Sequence, residues 1–118
     1  MMIKLYGIPN CDTVKRARAW LTDAGVSYEF HDFKKAGVPA PELARWLESL
    51  GWEKVLNRSG TTWRNLDEAI RAGVVDANSA AQLMQAQPSV IKRPVVQWAD
   101  GRVTVGFSAA LFLEQQTA

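Results

Sequence analysis

The first third of the chain alternates between strand and helix patterns, and this order most constrains the fold. Residues 3–6 form an apolar strand candidate, which ends at the turn residues Gly7-Ile8-Pro9-Asn10. A helix is predicted over residues 11–24, with Asn10 as its N-cap, because apolar side chains recur there at helical spacing. Residues 27–33 alternate between polar and aromatic side chains, which indicates a second strand. Two strands joined through a helix should be parallel, with a right-handed crossover.

Helical patterns alone fill the middle of the chain. Glycine and proline residues divide it into predicted helices over residues 39–50, 52–56, 65–72 and 76–87, the last beginning near Asp76 or Asn78. A chain of 118 residues has room for one domain. We therefore expect a single domain over residues 1–118, with an all-helical insert at about residues 38–88.

The last part of the chain returns to strands. Residues 94–98 and 102–106 flank a turn that contains Gly101, which predicts a hairpin. A closing helix is predicted over residues 108–116, with Ser108 as its N-cap. Its expected apolar set is Ala109, Phe112 and Leu113. The whole order predicts an α/β, thioredoxin-like fold, with a mixed four-stranded sheet, helices on its faces and the helical insert between the second and third strands.

Composition narrows the function classes. A hydrophobic share of 47% and five tryptophans indicate a packed core, which excludes a disordered or fibrous chain. The net charge of +2 is too small to indicate a nucleic-acid or membrane partner. The N-terminus lacks the apolar region and cleavage site of a signal peptide, so we expect a reducing cytoplasm.

The chain has one cysteine and one histidine. These counts exclude an intrachain disulfide and every zinc cluster built on cysteines, so we expect no metal and no bound cofactor. Cys11 falls at the first turn of the first predicted helix, where the helix dipole and free N–H groups lower a thiol pKa. The polar turn around it argues against a buried structural cysteine, and a reactive thiolate is predicted.

Two thiol chemistries fail on spacing. A dithiol oxidoreductase needs a second cysteine at position 14, which is Val14, and a tyrosine phosphatase loop needs an arginine at position 17, which is Ala17. Any redox cycle must therefore take its second thiol from outside, from glutathione or from another protein. Three nearby cations, Lys15, Arg16 and Arg18, are interpreted as a solvated face, with an anion at the helix start as the alternative.

Pro94 opens the third predicted strand and follows Arg93. In thioredoxin-like folds, a cis-proline at this place faces the loop that carries the reactive cysteine. We therefore expect a cis bond before Pro94 and expect Arg93 to lie close to Cys11 as an anion clamp. Without the fold prediction, Arg93 would be an ordinary surface residue.

Three separated motifs carry a resemblance that covers essentially the whole chain. They are Tyr6-Gly7-x-Pro9-Asn10-Cys11-Asp12-Thr13-x-Lys15, Leu56-Asn57-Arg58-x-Gly60-Thr61-Thr62-Trp63-Arg64 and Ile91-Lys92-Arg93-Pro94-Val95. In this order they resemble the arsenate reductase (ArsC)-like family, in its Spx/YffB branch. The resemblance implies Cys11 as the nucleophile and a site for substrate or glutathione made by Asn10, Asp12, Thr13, Lys35, Arg58, Arg93 and Pro94.

Departures from the family pattern separate three functions. Arsenate reductases of this type carry a third arginine after the last hairpin, where this chain has Val105-Gly106-Phe107-Ser108. Val14 removes the two-cysteine switch that is common in the Spx-like regulators. The resemblance therefore favours a glutathione-dependent thiol reductase that acts on a small oxidised thiol or a protein disulfide. The alternatives are a regulator that binds RNA polymerase without catalysis and an arsenate reductase.

The regulator alternative draws on three tryptophans of the insert, Trp46, Trp52 and Trp63. Trp46 shares a predicted helical face with leucines, so a core position is expected for it rather than a docking role. His31 is expected at the surface and has no predicted role.

Overall fold

Four strands form one mixed sheet in the order β2-β1-β3-β4. The computed structural model describes residues 2–117. The strands are β1 (Ile3–Gly7), β2 (Tyr28–Asp32), β3 (Val95–Gln97) and β4 (Val103–Val105). β1 is parallel to β2 and antiparallel to β3, with Tyr6 opposite both His31 and Val95. β4 is antiparallel to β3 with Val105 opposite Val95, so these residues mark one end of the sheet.

Eight helices accompany the sheet among the described residues. They are α1 (Asp12–Asp23), α2 (Phe33–Ala36), α3 (Ala40–Leu50), α4 (Trp52–Val55), α5 (Thr61–Arg64), α6 (Glu68–Ala72), α7 (Ala77–Ala86) and α8 (Ala109–Thr117), with a 3-10 helix at Pro88–Val90. The predicted α/β, thioredoxin-like fold is confirmed, with the helical segment between the second and third strands. None of these helices has the length and hydropathy needed to cross a membrane.

The chain divides into two compact units. The sheet unit contains residues up to 36 together with those from 93 onward, and the helical unit contains residues 37–92. These bounds are close to those expected for the insert, and the single domain over residues 1–118 stays a prediction.

The core of the sheet unit lies between the sheet and two helices. Alternate residues of β1 meet one face of α1 and the aromatic ring of α8, and the cluster consists of Ile3, Leu5, Val14, Ala17, Leu21, Val96, Trp98 and Phe112. Burial of each large apolar side chain stabilises the fold by about 1.5–3 kcal/mol. The Phe112 ring meets the rings of Trp20, Trp98 and Phe107 edge to face, with centroids 4.8–5.6 Å apart.

The helical unit has its own buried side chains, which include Leu43, Trp46 and Leu47 on α3 and Met84 on α7. The core position expected for Trp46 is therefore confirmed, and this residue offers no docking surface. Asp76, rather than Asn78, caps α7, because its carboxylate accepts the Ser79 N–H at 2.9 Å while the Ser79 hydroxyl accepts the Asp76 N–H at 3.1 Å.

Three local predictions were wrong. Phe33 begins α2 instead of ending β2. The helix expected over residues 65–72 begins only at Glu68, as α6 with Asp67 as its N-cap, and the Thr61–Arg64 segment before it forms α5, which was not predicted. Leu113 is 57% exposed, and Leu111 packs on the core in its place. Because several apolar residues are adjacent in α8, the sequence does not show which of them face the core.

Candidate functional site

Cys11 occupies the turn between β1 and α1. Its N–H donates to the Ile8 carbonyl at 3.2 Å, and its own carbonyl accepts the Lys15 N–H at 2.9 Å, the first bond of the helix. Cys11, with extended backbone angles, is therefore the N-cap residue, and the prediction of Asn10 in that position was wrong. The Ile8-to-Cys11 hydrogen bond closes the turn one residue later than the sequence pattern suggested.

Gly7 lets this turn approach the helix. A Cβ atom at Gly7 would lie 2.8 Å from Cγ2 of Val14, closer than carbon atoms pack. Val14 is fully buried in the core of the sheet unit, so it has no room to move away. The absence of a side chain at Gly7 thus fixes how closely the cysteine turn can lie against α1.

The Cys11 sulfur is half-buried and rests against the core of the sheet unit. Partial burial raises the pKa of the thiol. Three neighbours lower the pKa by more than burial raises it: the Val14 N–H, the Arg93 guanidinium through its charge and hydrogen bond, and the Thr13 N–H. The resulting pKa lies below the ordinary value of a cysteine. These groups stabilise a thiolate, the form that acts as a nucleophile.

The start of β3, shortly after Arg93, positions this residue beside Cys11. The Arg93–Pro94 bond is cis, as predicted. Pro94 is buried, and its carbonyl accepts the Gly106 N–H at 2.9 Å, while Val95 begins β3 opposite β1. The expected placement of Arg93 beside Cys11 is therefore found, and its role as an anion clamp stays a prediction.

The other predicted residues of the cysteine loop differ in exposure. Asn10 and Asp12 are exposed, whereas Thr13 is half-buried and contributes its N–H to the sulfur. Lys35 is exposed on the short helix α2, directly after β2, where Asp32 accepts the Lys34 N–H at 2.8 Å. Contact of these side chains with a ligand stays a prediction.

The three cations of α1, Lys15, Arg16 and Arg18, differ in their exposure and contacts. Lys15 and Arg16 are exposed, in line with the interpretation as a solvated face. The Arg18 guanidinium instead lies over the Phe30 ring, 4.1 Å from its centroid, and donates to the Tyr28 hydroxyl at 3.0 Å. Arg18 therefore supports β2, and periodicity gave no sign of this because the partners belong to another element.

Arg58 lies in the helical unit, within a tight turn. The Asn57 N–H donates to the Val90 carbonyl at 2.8 Å, and a Cβ atom at Gly60 would lie 2.8 Å from the Asn57 amide nitrogen. The Arg58 guanidinium stands 5.3 Å from the centre of the Trp52 ring and 3.8 Å from the Glu53 carboxylate. Its action together with Cys11 stays a prediction.

A cavity of the sheet unit is lined by Ile3, Trp98 and Asp100, among others. Ile3 begins β1, whereas the cysteine turn follows the other end of that strand. The cavity is therefore separate from the thiol. No cluster of three or more potential metal ligands occurs within residues 2–117.

Comparison with known proteins decides the family. The sequence profile of the ArsC family matches residues 6–114, a segment that includes Cys11, Arg58 and Arg93. The chain belongs to the ArsC family. Its cysteine loop and its segment around Pro94 are thus parts of an ArsC fold.

Similar proteins support the Spx/YffB branch. A YffB protein of known structure is 48% identical, with a TM-score of 0.90, over 97% of this chain and 98% of that protein. An arsenate reductase (ArsC) related protein from Brucella melitensis is 50% identical, with a TM-score of 0.75, over 100% of this chain and 97% of the other. The global transcriptional regulator Spx of Streptococcus agalactiae is 28% identical over 91% of this chain and 77% of the regulator. The predicted resemblance is confirmed.

Proposed function

We propose that this protein is a glutathione-dependent thiol reductase that uses Cys11 as its nucleophile. The observation that carries the proposal is the Arg93 guanidinium beside the sulfur, which with the N–H groups of the first turn lowers the pKa of Cys11. Membership of the ArsC family and similarity to an arsenate reductase related protein support an oxidoreductase at a coarse level. A reducing cytoplasm would supply the co-substrate.

The reaction proceeds by two exchanges between sulfur atoms. The Cys11 thiolate attacks the glutathione sulfur of a mixed disulfide, so that a new S–S bond forms on Cys11 and the substrate sulfur leaves as a thiolate and takes a proton from water. A second glutathione thiolate then attacks the Cys11 disulfide. Cys11 is released as a thiolate, the substrate is reduced, and two glutathione molecules leave as oxidised glutathione.

This cycle fits a chain with one thiol. The sole cysteine provides one sulfur, and glutathione supplies both electrons, so that neither a second protein thiol nor a bound cofactor or metal is needed. Glutathione carries two carboxylates, and guanidinium groups bind carboxylates through paired hydrogen bonds. Arg58, Arg93 and Lys35 are the proposed carboxylate partners. Asn10, Asp12, Thr13 and Pro94 are the proposed walls of the site.

A Cys11→Ser variant tests the proposal. With a glutathione mixed disulfide as substrate and glutathione reductase to report the oxidised product, we expect the variant to fall to the uncatalysed rate. A circular dichroism spectrum equal to that of the unchanged protein would show that the fold is retained. Full reductase activity of Cys11→Ser would overturn the proposal.

A non-catalytic regulator is the second candidate, and the similarity to Spx along most of the chain favours it. The proposed partner is RNA polymerase. Retention of RNA polymerase by the immobilised protein at physiological salt, unchanged by Cys11→Ser, would support the regulator.

Turnover of arsenate with glutathione would instead support an arsenate reductase, despite Val105-Gly106-Phe107-Ser108 in place of the third arginine.

A further inference from the structure

The Arg16 guanidinium makes a cation–π contact with the Phe107 ring. The central carbon of the Arg16 guanidinium lies 5.8 Å from the centre of the Phe107 ring. Phe107 itself is half-buried, and the edge-to-face contact with Phe112 at 4.8 Å holds it against the core. A cation from α1 therefore stands at the segment after β4, where the sequence itself has no arginine between residues 105 and 108.

This cation lies at the same end of the sheet as the thiol. Arg16 is five residues beyond Cys11, a rise of about 7.5 Å along the helix axis. A second connection crosses the strands, because Arg93 contacts Cys11, the Pro94 carbonyl binds the Gly106 N–H, and Phe107 comes next. Arg93 therefore contacts the sulfur, and Arg16 lies farther from it at the same end of the sheet, where an extended ligand bound at Cys11 can reach.

The ring positions Arg16 without using its hydrogen-bond donors. A cation–π contact with an aromatic face occupies none of the N–H groups of a guanidinium, and these can bind a carboxylate at two points. The other partner of Arg16 is Asp12 at 3.9 Å, a distance beyond direct hydrogen bonding. The Arg16 side chain is 62% exposed and that of Asp12 is 92% exposed, so water screens this pair and a ligand can displace it.

We propose that Arg16, held on Phe107, is a carboxylate-binding subsite for the disulfide that Cys11 attacks. This inference rests on the proposed function, and it adds the class of substrate that the site prefers. The preferred disulfide carries carboxylates close to its sulfur atoms. The subsite binds such a carboxylate while the Cys11 thiolate forms its bond with one sulfur and the other sulfur leaves as a thiolate.

Disulfides of different charge test this subsite. The single-turnover rate of mixed-disulfide formation on Cys11 is measured by mass spectrometry for oxidised glutathione, which is anionic, for hydroxyethyl disulfide, which is neutral, and for cystamine, which is cationic. Arg16→Gln should lower the ratio of the oxidised glutathione rate to the hydroxyethyl disulfide rate about fivefold, the upper end of what one exposed ion pair contributes. Phe107→Leu, which keeps apolar volume but removes the ring, should lower the same ratio.

Arg45→Gln is the matched control. Arg45 is an exposed arginine of α3 that pairs with Glu42 at 3.5 Å, so the variant makes the same change in net charge within the helical unit. An unchanged ratio in Arg16→Gln, or an equal decrease in Arg45→Gln, would overturn the subsite. Failure of the unchanged protein to form a mixed disulfide with any of the three would overturn the proposed function itself.

Discussion

At the scale of single residues, the lowered pKa of Cys11 has one cause next to it in the sequence, the first turn of α1, and one far along the chain, Arg93. The position of Cys11 at a helix start could be predicted from the turn after the first strand, and Arg93 could be predicted only through the fold. The arrangement of Arg16 on Phe107 could not be predicted, because no local pattern links residues that meet only when β4 and α1 are assembled. The contacts of Arg18 with Phe30 and Tyr28 could not be predicted for the same reason.

Gly7 provides a prediction at this scale. Gly7→Ala should destabilise the protein by about 1–3 kcal/mol, because the new Cβ would press on Val14 at 2.8 Å inside a packed core. Urea unfolding followed by tryptophan fluorescence measures the change.

Gly73→Ala is the control for this prediction. A Cβ at Gly73 has its nearest neighbour at 3.4 Å and the residue has an ordinary helical φ, so its unfolding free energy should change little. Equal effects of the two substitutions would contradict the steric explanation for Gly7.

At the scale of elements, the strands and long helices could be predicted because their hydrophobic periods are strong, and their ends moved by one or two residues. The N-cap of α1 shifted from Asn10 to Cys11 because the backbone bond from Cys11 to Ile8 decides where the turn closes. The short helices α5 and α6 have no buried residues, so no apolar period marked α5 or the start of α6.

The cap of α7 gives a prediction about pH. The Ser79 N–H and hydroxyl hold the pKa of Asp76 below its usual range, so the carboxylate stabilises the fold above the unfolded pKa of about 3.9 and loses this effect as pH falls through the folded pKa. Asp76→Asn should therefore lower the melting temperature at pH 7, and the difference from the unchanged protein should shrink toward pH 3.

Asp67→Asn is the matched control for the cap. Asp67 is the N-cap residue of α6, but its side chain makes no capping hydrogen bond. Its substitution should change the melting temperature less than Asp76→Asn at pH 7. A difference between Asp76→Asn and the unchanged protein that stays constant with pH would contradict the role of the carboxylate charge.

At the scale of the whole molecule, the residues proposed to bind glutathione are distributed over both compact units. Cys11 and Arg93 belong to the sheet unit, and Arg58 belongs to the helical unit, where Trp52 and Glu53 surround its guanidinium. Because motifs of both units lie within one family match, their joint action is proposed from the sequence rather than from a measured distance. Kinetics can test this connection.

Arg58→Gln should raise the KM for glutathione about fivefold while kcat changes less, because a carboxylate partner is lost and the nucleophile is retained. Steady-state rates over a range of glutathione concentrations separate the two constants. Arg45→Gln removes an exposed arginine of the same unit and should leave KM unchanged. If Arg58→Gln and Arg45→Gln raise the KM equally, the effect is one of net charge and Arg58 is not a specific carboxylate partner.

The proposed reaction requires that Arg93 and the first turn of α1 hold Cys11 as a thiolate. The most direct measurement is the pH dependence of Cys11 alkylation by iodoacetamide, an uncharged reagent, in the unchanged protein and in Arg93→Gln. We expect a midpoint below the value of an unperturbed cysteine, about 8.5, and an upward shift of that midpoint in Arg93→Gln. If the midpoint of the unchanged protein lies at the unperturbed value and Arg93→Gln does not move it, Arg93 and the helix turn do not hold Cys11 as a thiolate.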